Sequence, residues 1–184
     1  MPQKSMVLVG PRAKLGANRG LGFATAKELL LITNFHIIVR CQVTSGPSIE
    51  ATRSHIETAF RRLDILVHNA DIYLLPSEPS ASHVGVKILQ STIETNVSGP
   101  ARVTEALLLR HRPSPVESSP AQIVFVSSSM GSLSHNMNRN SPHSGIHAIE
   151  YRMLKTGLMV GIVVIIHSSH SNAPKTIAIL SNTQ

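Results

Sequence analysis

The 184-residue chain has no tryptophan, two tyrosines and four phenylalanines, so aromatic residues make up only 3% of it. That leaves few platforms for stacking on bases, which argues against a single-strand nucleic-acid binder. One cysteine, Cys41, cannot form an internal disulfide, and the class of small disulfide scaffolds falls away. No apolar run approaches the roughly 20 residues of a membrane span. The longest, Leu158 to Ile166, is interrupted by Gly161 and stopped by His167. Near the N-terminus the apolar stretch Met6 to Val9 is too short for a secretory signal. The expectation is a cytoplasmic protein without a membrane segment. Acidic residues are also scarce: 10 against 17 lysines and arginines, a net charge of +7. A basic surplus favours anionic partners such as phosphorylated cofactors. The basic residues are scattered, with Arg61-Arg62 the only adjacent pair, so no nucleic-acid partner is expected.

What is present suits one globular domain. Hydrophobic residues make up 42% of the chain, and the length is sufficient to bury a core. Short apolar runs alternate with helical patterns. Met6 to Val9, Phe35 to Val39, Ile65 to Val67 and Ile123 to Val126 read as strands. Phe23, Ala26, Leu30 and Leu31 fall on one helix face. Ser48 is a candidate cap for a helix with Ile49, Ile56, Ala59 and Phe60 on its apolar side. A long helix is expected from Val86 to Leu109, followed by a proline-rich loop from His111 to Pro120. This alternation argues for an α/β domain with a parallel sheet and helices on both faces.

Three local patterns could carry chemistry. Gly16-Ala17-Asn18-Arg19-Gly20-Leu21-Gly22 lies between a strand and a helix. Glycines there let backbone N–H groups and a helix N-terminus approach a phosphate. The same residues would also serve as a plain flexible turn. Arg40 follows the second strand, and no carboxylate lies between Phe35 and Gly46. An arginine at such a strand tip suits a ribose 2′-phosphate, whereas a carboxylate suits the free hydroxyl. Tyr151 and Lys155 are spaced i, i+4, which on a helix sets an ammonium beside a phenol and lowers the phenol's pKa. A surface helix pair has the same spacing. The pairs His143/His147 and His167/His170 have no local cysteine or carboxylate partner except Glu150, so no metal is expected. Asn96-Val97-Ser98 matches a glycosylation acceptor, but no secretory signal accompanies it.

Together these segments resemble the short-chain dehydrogenase/reductase family. The glycine turn is similar to its nucleotide-binding signature. Leu63 to Asp71 resembles the strand carrying its Asn-Ala-Gly motif, here Asn69-Ala70-Asp71. Asn96-Val97-Ser98-Gly99 is similar to the helix motif of its catalytic asparagine. Ile123 to Ser128, followed by Gly131, sets Ser128 at the serine position, and Tyr151-Arg152-Met153-Leu154-Lys155 matches Tyr-x-x-x-Lys. The likeness spans about residues 5 to 160, and the long loop with Ser141-Pro142 resembles a fungal carbonyl-reductase-like branch.

The chain also departs from the pattern. Six residues, Gly10 to Leu15, separate the first strand from the glycine turn. Gln42 replaces an adenine-binding aspartate and follows Arg40 almost at once, so a helix and most of the third strand are expected to be missing. Asp71 stands where the family has a glycine, adding a negative charge and a Cβ near the cofactor. From about residue 161 to 184 the chain diverges, and the last strand is not recognisable.

The resemblance implies a single Rossmann-like domain, doubly wound, over residues 1–184. It implies a reductase converting a small-molecule carbonyl to an alcohol with NADPH. Catalysis would fall to Asn96, Ser128, Tyr151 and Lys155. The cofactor would be held by Gly16, Asn18, Arg19, Gly20, Leu21, Gly22, Arg40, Val43, Asn69 and Ala70, together with Tyr151 and Lys155. Tyr151 would donate the proton, Lys155 would lower its pKa, Ser128 would bind the carbonyl oxygen, and Asn96 would hold a relay water. The helix faces after Asn96 and Tyr151 imply a homodimer or larger assembly, with Leu158, Met159, Ile162, Val163 and Ile166 as an exposed apolar patch. The alternative is a catalytically impaired relative that binds nucleotide or a protein partner.

Overall fold

The computed structural model describes residues 4–9, 24, 27–28, 31, 35–38, 41–61, 63–74, 85–109, 122–138, 140–141, 149–167 and 175–181. The short apolar runs become the strands of one parallel sheet. These are β1 (Lys4–Val9), β2 (Phe35–Ile38), β3 (Ile65–His68), β4 (Gln122–Ser128) and β5 (Lys175–Ser181), in the order β2-β1-β3-β4-β5. Residues 24, 27, 28 and 31, in the β1–β2 connection, are helical. Parallel pairing demands crossovers, and their right-handedness puts that connection on one face of the sheet and the later ones on the other. The domain is thus a Rossmann-like fold. The register aligns Met6 with Ile65, and Ile65 with Gln122.

Helix α1 (Gly46–Ala59) has its cap three residues before the expected Ser48. Ser45 caps it, accepting from the Ser48 N–H at 3.3 Å, while Ser48 Oγ accepts from the Gln42 N–H at 2.9 Å. Its buried stripe is Ile49, Thr52 and Ile56, and Ala59 is exposed. Only an isolated bridge at Gln42 separates β2 from α1 among the described residues, in keeping with a shortened third-strand region.

The long helix runs from Val86 to Leu109 as four segments: α2 (Val86–Ile93), a π turn (Glu94–Ser98), α3 (Gly99–Thr104) and a second π turn (Glu105–Leu109). Pro100 explains the first widening. It has no N–H for the carbonyl four residues back, and the Gly99 N–H reaches the Glu94 carbonyl instead. A Cβ on Gly99 would stand 2.7 Å from Val43 Cγ2, so glycine lets the helix lie against the loop after β2. There Cys41, Val43, Ile49, Ile56, Leu66, Ala70, Val103 and Leu107 form the larger core cluster.

After β4 come a 3-10 turn (Ser129–Gly131), the short α4 (Leu133–Met137) and α5 (Ile149–His167). Ile123 and Phe125 of β4 pack on Leu158 of α5. Leu158 is therefore core, which corrects its expected place in an exposed patch. Among the described side chains of α5, the large apolar ones exposed are Met153 and Val160. The side chains of Ile162, Val163 and Ile166 lie outside the described residues. Residues 167–184, in which no strand was expected, contain β5, paired along the whole of β4 from Gln122↔Lys175 to Ser128↔Ser181. Among the described residues no helix is long and apolar enough to cross a membrane, and no three His, Cys, Asp or Glu side chains converge as a metal site.

Candidate active site

The carboxyl ends of β3 and β4 bring together residues far apart in sequence. β3 is followed by Asn69, Ala70 and Asp71, and β4 ends in Ser128. In open parallel sheets ligands bind outside these strand ends. α5 packs over the turn after β4 and carries Tyr151 and Lys155 to the same place, both buried. Its seating depends on Gly131, where an added Cβ would stand 2.7 Å from the Lys155 backbone carbon. Thr156 Oγ1 donates to the Gly131 carbonyl at 3.1 Å beside this contact. Buried Glu150 adds a second tether, its Oε1 accepting from the Gly85 N–H at 2.7 Å where α2 begins. Residue 150 thus joins the helical run bearing Asn96 to the helix bearing Tyr151. Glu150 was not expected in this role, since a contact 65 residues long has no local sequence signal.

Asn96 lies in the first π turn and is buried. Its Oδ1 accepts from the Ile72 N–H and its Nδ2 donates to the Ile72 carbonyl, both at 2.9 Å. The same Nδ2 donates to Asp71 Oδ1 at 2.5 Å. Asn96 therefore fixes the segment after β3. Tyr151 Oη donates to Asp71 Oδ2 at 2.8 Å, and Lys155 Nζ lies 3.0 Å from that same oxygen. Nζ also donates to the Val126 carbonyl at 3.5 Å and stands 5.3 Å from the Tyr151 ring centroid. Ser128 Oγ accepts from the Met130 N–H at 3.2 Å, and Tyr73 packs edge-on against Tyr151 at 4.8 Å.

The four expected catalytic residues, Asn96, Ser128, Tyr151 and Lys155, thus converge, and Asp71 sits among them as a hub. The electrostatics differ from the expectation. Lys155 was expected to lower the Tyr151 pKa, but the phenol is pushed well above its ordinary value. Burial is the largest cause, followed by the charge and hydrogen bond of Asp71; a hydrogen bond with Ser128 acts the other way. Burial removes the water that would solvate a phenolate, and the Lys155 ammonium that would favour one is paired with the Asp71 carboxylate. The sequence shows Asp71 as a departure from a glycine, but nothing local reveals what it touches.

Of the expected cofactor residues, Asn69 is half-buried at the end of β3. Val43 and Ala70 have their side chains in the core, so only their backbone groups can meet a ligand. Gly16, Asn18, Arg19, Gly20, Leu21, Gly22 and Arg40 lie outside the described residues. The donor set at the site, an ammonium, a phenol, an amide and a hydroxyl, fits the hydroxyl-rich ribose of a nicotinamide cofactor.

The family model for short chain dehydrogenases matches residues 31–144. The chain belongs to the short-chain dehydrogenase family. A short-chain dehydrogenase/reductase of Phoma sp is 25% identical over 187 residues, covering 78% of this chain and 66% of its own length. The (+)-neomenthol dehydrogenase of Arabidopsis thaliana is 31% identical over 140 residues, covering 66% of this chain and 45% of its own. The chain thus spans under two thirds of the length of these relatives. The crystal structure of NADPH-bound carbonyl reductase from chicken fatty liver superposes with a TM-score of 0.75 at 19% identity, covering 98% of this chain and 79% of that one. That likeness concerns the fold.

Proposed function

We propose that this short-chain dehydrogenase is an NADPH-dependent oxidoreductase that reduces a small-molecule carbonyl to an alcohol. The convergence of Asn96, Ser128, Tyr151 and Lys155 around one buried phenol carries this reading. The nicotinamide, when bound, supplies the hydride. Tyr151 Oη gives the proton to the carbonyl oxygen, and the Ser128 hydroxyl hydrogen-bonds that oxygen as charge develops on it. Lys155 supplies positive charge beside Tyr151, and Asn96 keeps the segment after β3 in place.

The glycine turn with Gly16, Asn18, Arg19, Gly20, Leu21 and Gly22 would hold the pyrophosphate. Arg19 and Arg40 would meet a 2′-phosphate, and Val43, Asn69 and Ala70 would add backbone and amide contacts. The choice of NADPH rests on these two arginines and on the lack of a carboxylate between Phe35 and Gly46. We propose a cytoplasmic protein that forms a homodimer or a larger assembly. A second reading, a nucleotide-binding relative with impaired turnover, is favoured by the Asp71 carboxylate on the proton donor.

The test is titration of the purified chain with NADPH, followed by assay on aldehydes and ketones. Binding with slow turnover is expected. Absence of NADPH binding contradicts both readings, and binding without any turnover selects the second.

A further inference from the structure

We propose that Asp71 is a positioning residue that holds Tyr151 as a neutral phenol by gathering its hydroxyl proton and the Lys155 ammonium onto one carboxylate oxygen. The inference rests on the reading of Tyr151 as proton donor and goes beyond it by assigning a role to the residue that replaces a glycine.

Both carboxylate oxygens are engaged. Oδ2 receives Tyr151 Oη at 2.8 Å and Lys155 Nζ at 3.0 Å, and Oδ1 receives Asn96 Nδ2 at 2.5 Å. Asn96 is itself held by both backbone groups of Ile72, so rotating the carboxylate away breaks three contacts at once. The charges explain the consequence. With a neutral phenol, the Lys155 ammonium and the Asp71 carboxylate balance. A phenolate would set two anionic oxygens about hydrogen-bond distance apart, sharing a single ammonium whose side chain is only 2% exposed. Among the described residues facing Tyr151, the Ser128 hydroxyl alone acts the other way, and no second cation does. Tyr73 offers a ring edge, Ser128 a single hydroxyl, and the Glu150 carboxylate turns to the Gly85 N–H. Lys155, the residue able to stabilise a phenolate, is committed to Asp71.

The site therefore rests with Tyr151 protonated: the donor form is populated, and the phenolate that would accept a proton is scarce. Reduction of a carbonyl needs the phenol, whereas oxidation of an alcohol needs Tyr151 to accept the alcohol's proton as hydride leaves for an oxidised nicotinamide. Asp71 thus keeps Tyr151 in the form from which reduction starts, and the form from which oxidation starts is reached only at higher pH. It also restrains reduction, since the hydrogen bond from Tyr151 Oη to Asp71 Oδ2 must break before the proton can reach substrate.

The chain's composition supplies a direct readout. It has two tyrosines and no tryptophan, so Tyr73→Phe leaves Tyr151 as the sole phenol. The ultraviolet absorbance of phenolate then follows Tyr151 alone during a pH titration of the full chain without cofactor. In this background Asp71→Asn is expected to bring the phenolate in about 1–3 pH units lower, because Lys155 is released to it. Adding Lys155→Met should move the midpoint back up. Asp71→Glu should restore a high midpoint, which a mere packing role would not require. A midpoint left unchanged by Asp71→Asn overturns the proposal. If circular dichroism shows Asp71→Asn unfolded, Asp71→Gly and Asp71→Ser carry the same comparison, and unchanged midpoints in them overturn it equally. A lowered midpoint in a chain that fails to bind NADPH overturns the functional reading and leaves Asp71 its role. NADPH binding with an unchanged midpoint does the reverse.

Discussion

A Cβ on Gly131 would stand 2.7 Å from the backbone carbonyl carbon of Lys155, so the turn after β4 and helix α5 meet backbone to backbone. Neither side has a flexible chain end that can swing clear. Gly131→Ala is expected to lower stability by about 1–3 kcal/mol, as overpacked cores do, read as a lower urea midpoint. It should also displace Lys155 and Tyr151, and a shift of about 1 Å can cost on the order of 100-fold in rate. A midpoint equal to the parent's contradicts the close contact.

Tyr151→Phe removes the proton donor and keeps the ring that packs on Tyr73 and Met130. Carbonyl reduction is expected to fall by about 100-fold or more, with NADPH affinity nearly unchanged by titration. Parent turnover should already be slow, because the Tyr151 proton is held on Asp71. Reduction that survives in the phenylalanine variant would show that another group gives the proton.

Cofactor preference should rest on Arg40. NADPH is expected to bind more tightly than NADH to the parent chain, and Arg40→Asp to weaken or invert that order. Calorimetric titration with both dinucleotides checks it, and equal parent affinities sink the assignment.

His68 makes stability depend on pH. It is fully buried beneath α3, stacks on Phe125 at 4.7 Å, and shares a hydrogen bond with Thr104 Oγ1 at 2.8 Å through Nε2. Its Nδ1 has no hydrogen-bond partner among the described residues. Burial pushes its pKa down to about 3. The unfolded chain, with a histidine pKa near 6.5, therefore binds the extra proton between about pH 3 and 6.5. Stability is full above that window and falls as pH drops through it, by up to about 1.4 kcal/mol per pH unit. Denaturant midpoints measured at several pH values should show this slope, and His68→Gln should flatten it.

Association should involve α2 and α5, which pack side by side. Val86 and Ile93 are exposed and seven residues apart on α2, and Met153 and Val160 are exposed and seven apart on α5. Such neighbouring apolar rows suit a second copy. Sedimentation is expected to show a dimer that Val160→Glu loosens. A monomer at all concentrations removes this interface.

The strands were legible as short apolar runs between turn and helix patterns, and the long helix by its apolar spacing. Met6 to Val9, Ile65 to Val67 and Ile123 to Val126 are apolar runs, as strands buried in a parallel sheet require. The helix from Val86 to Leu109 has the bounds its pattern suggests, although its two π turns were not foreseen. β5 escaped notice because its apolar run, Ile177 to Leu180, lies beyond the last recognisable motif, Tyr151 to Lys155, with no neighbouring pattern to place it. Leu158 was assigned to a surface because an apolar residue on a helix carries no mark of which neighbour will cover it.

By itself the sequence determined the inventory: Asn96, Ser128, Tyr151 and Lys155 in order, an i, i+4 pairing on one helix, and a carboxylate in place of a glycine. Tertiary structure decided the charges. Asp71 and Tyr151 are 80 residues apart in the chain, and only the packing of α5 over the ends of β3 and β4 brings their oxygens to 2.8 Å. The acidity of a buried phenol depends on which charges lie within a few ångströms and how much water is excluded. Neither quantity is written in residue spacing, which is why a lysine four positions away suggests an activated tyrosine and the folded site holds a restrained one.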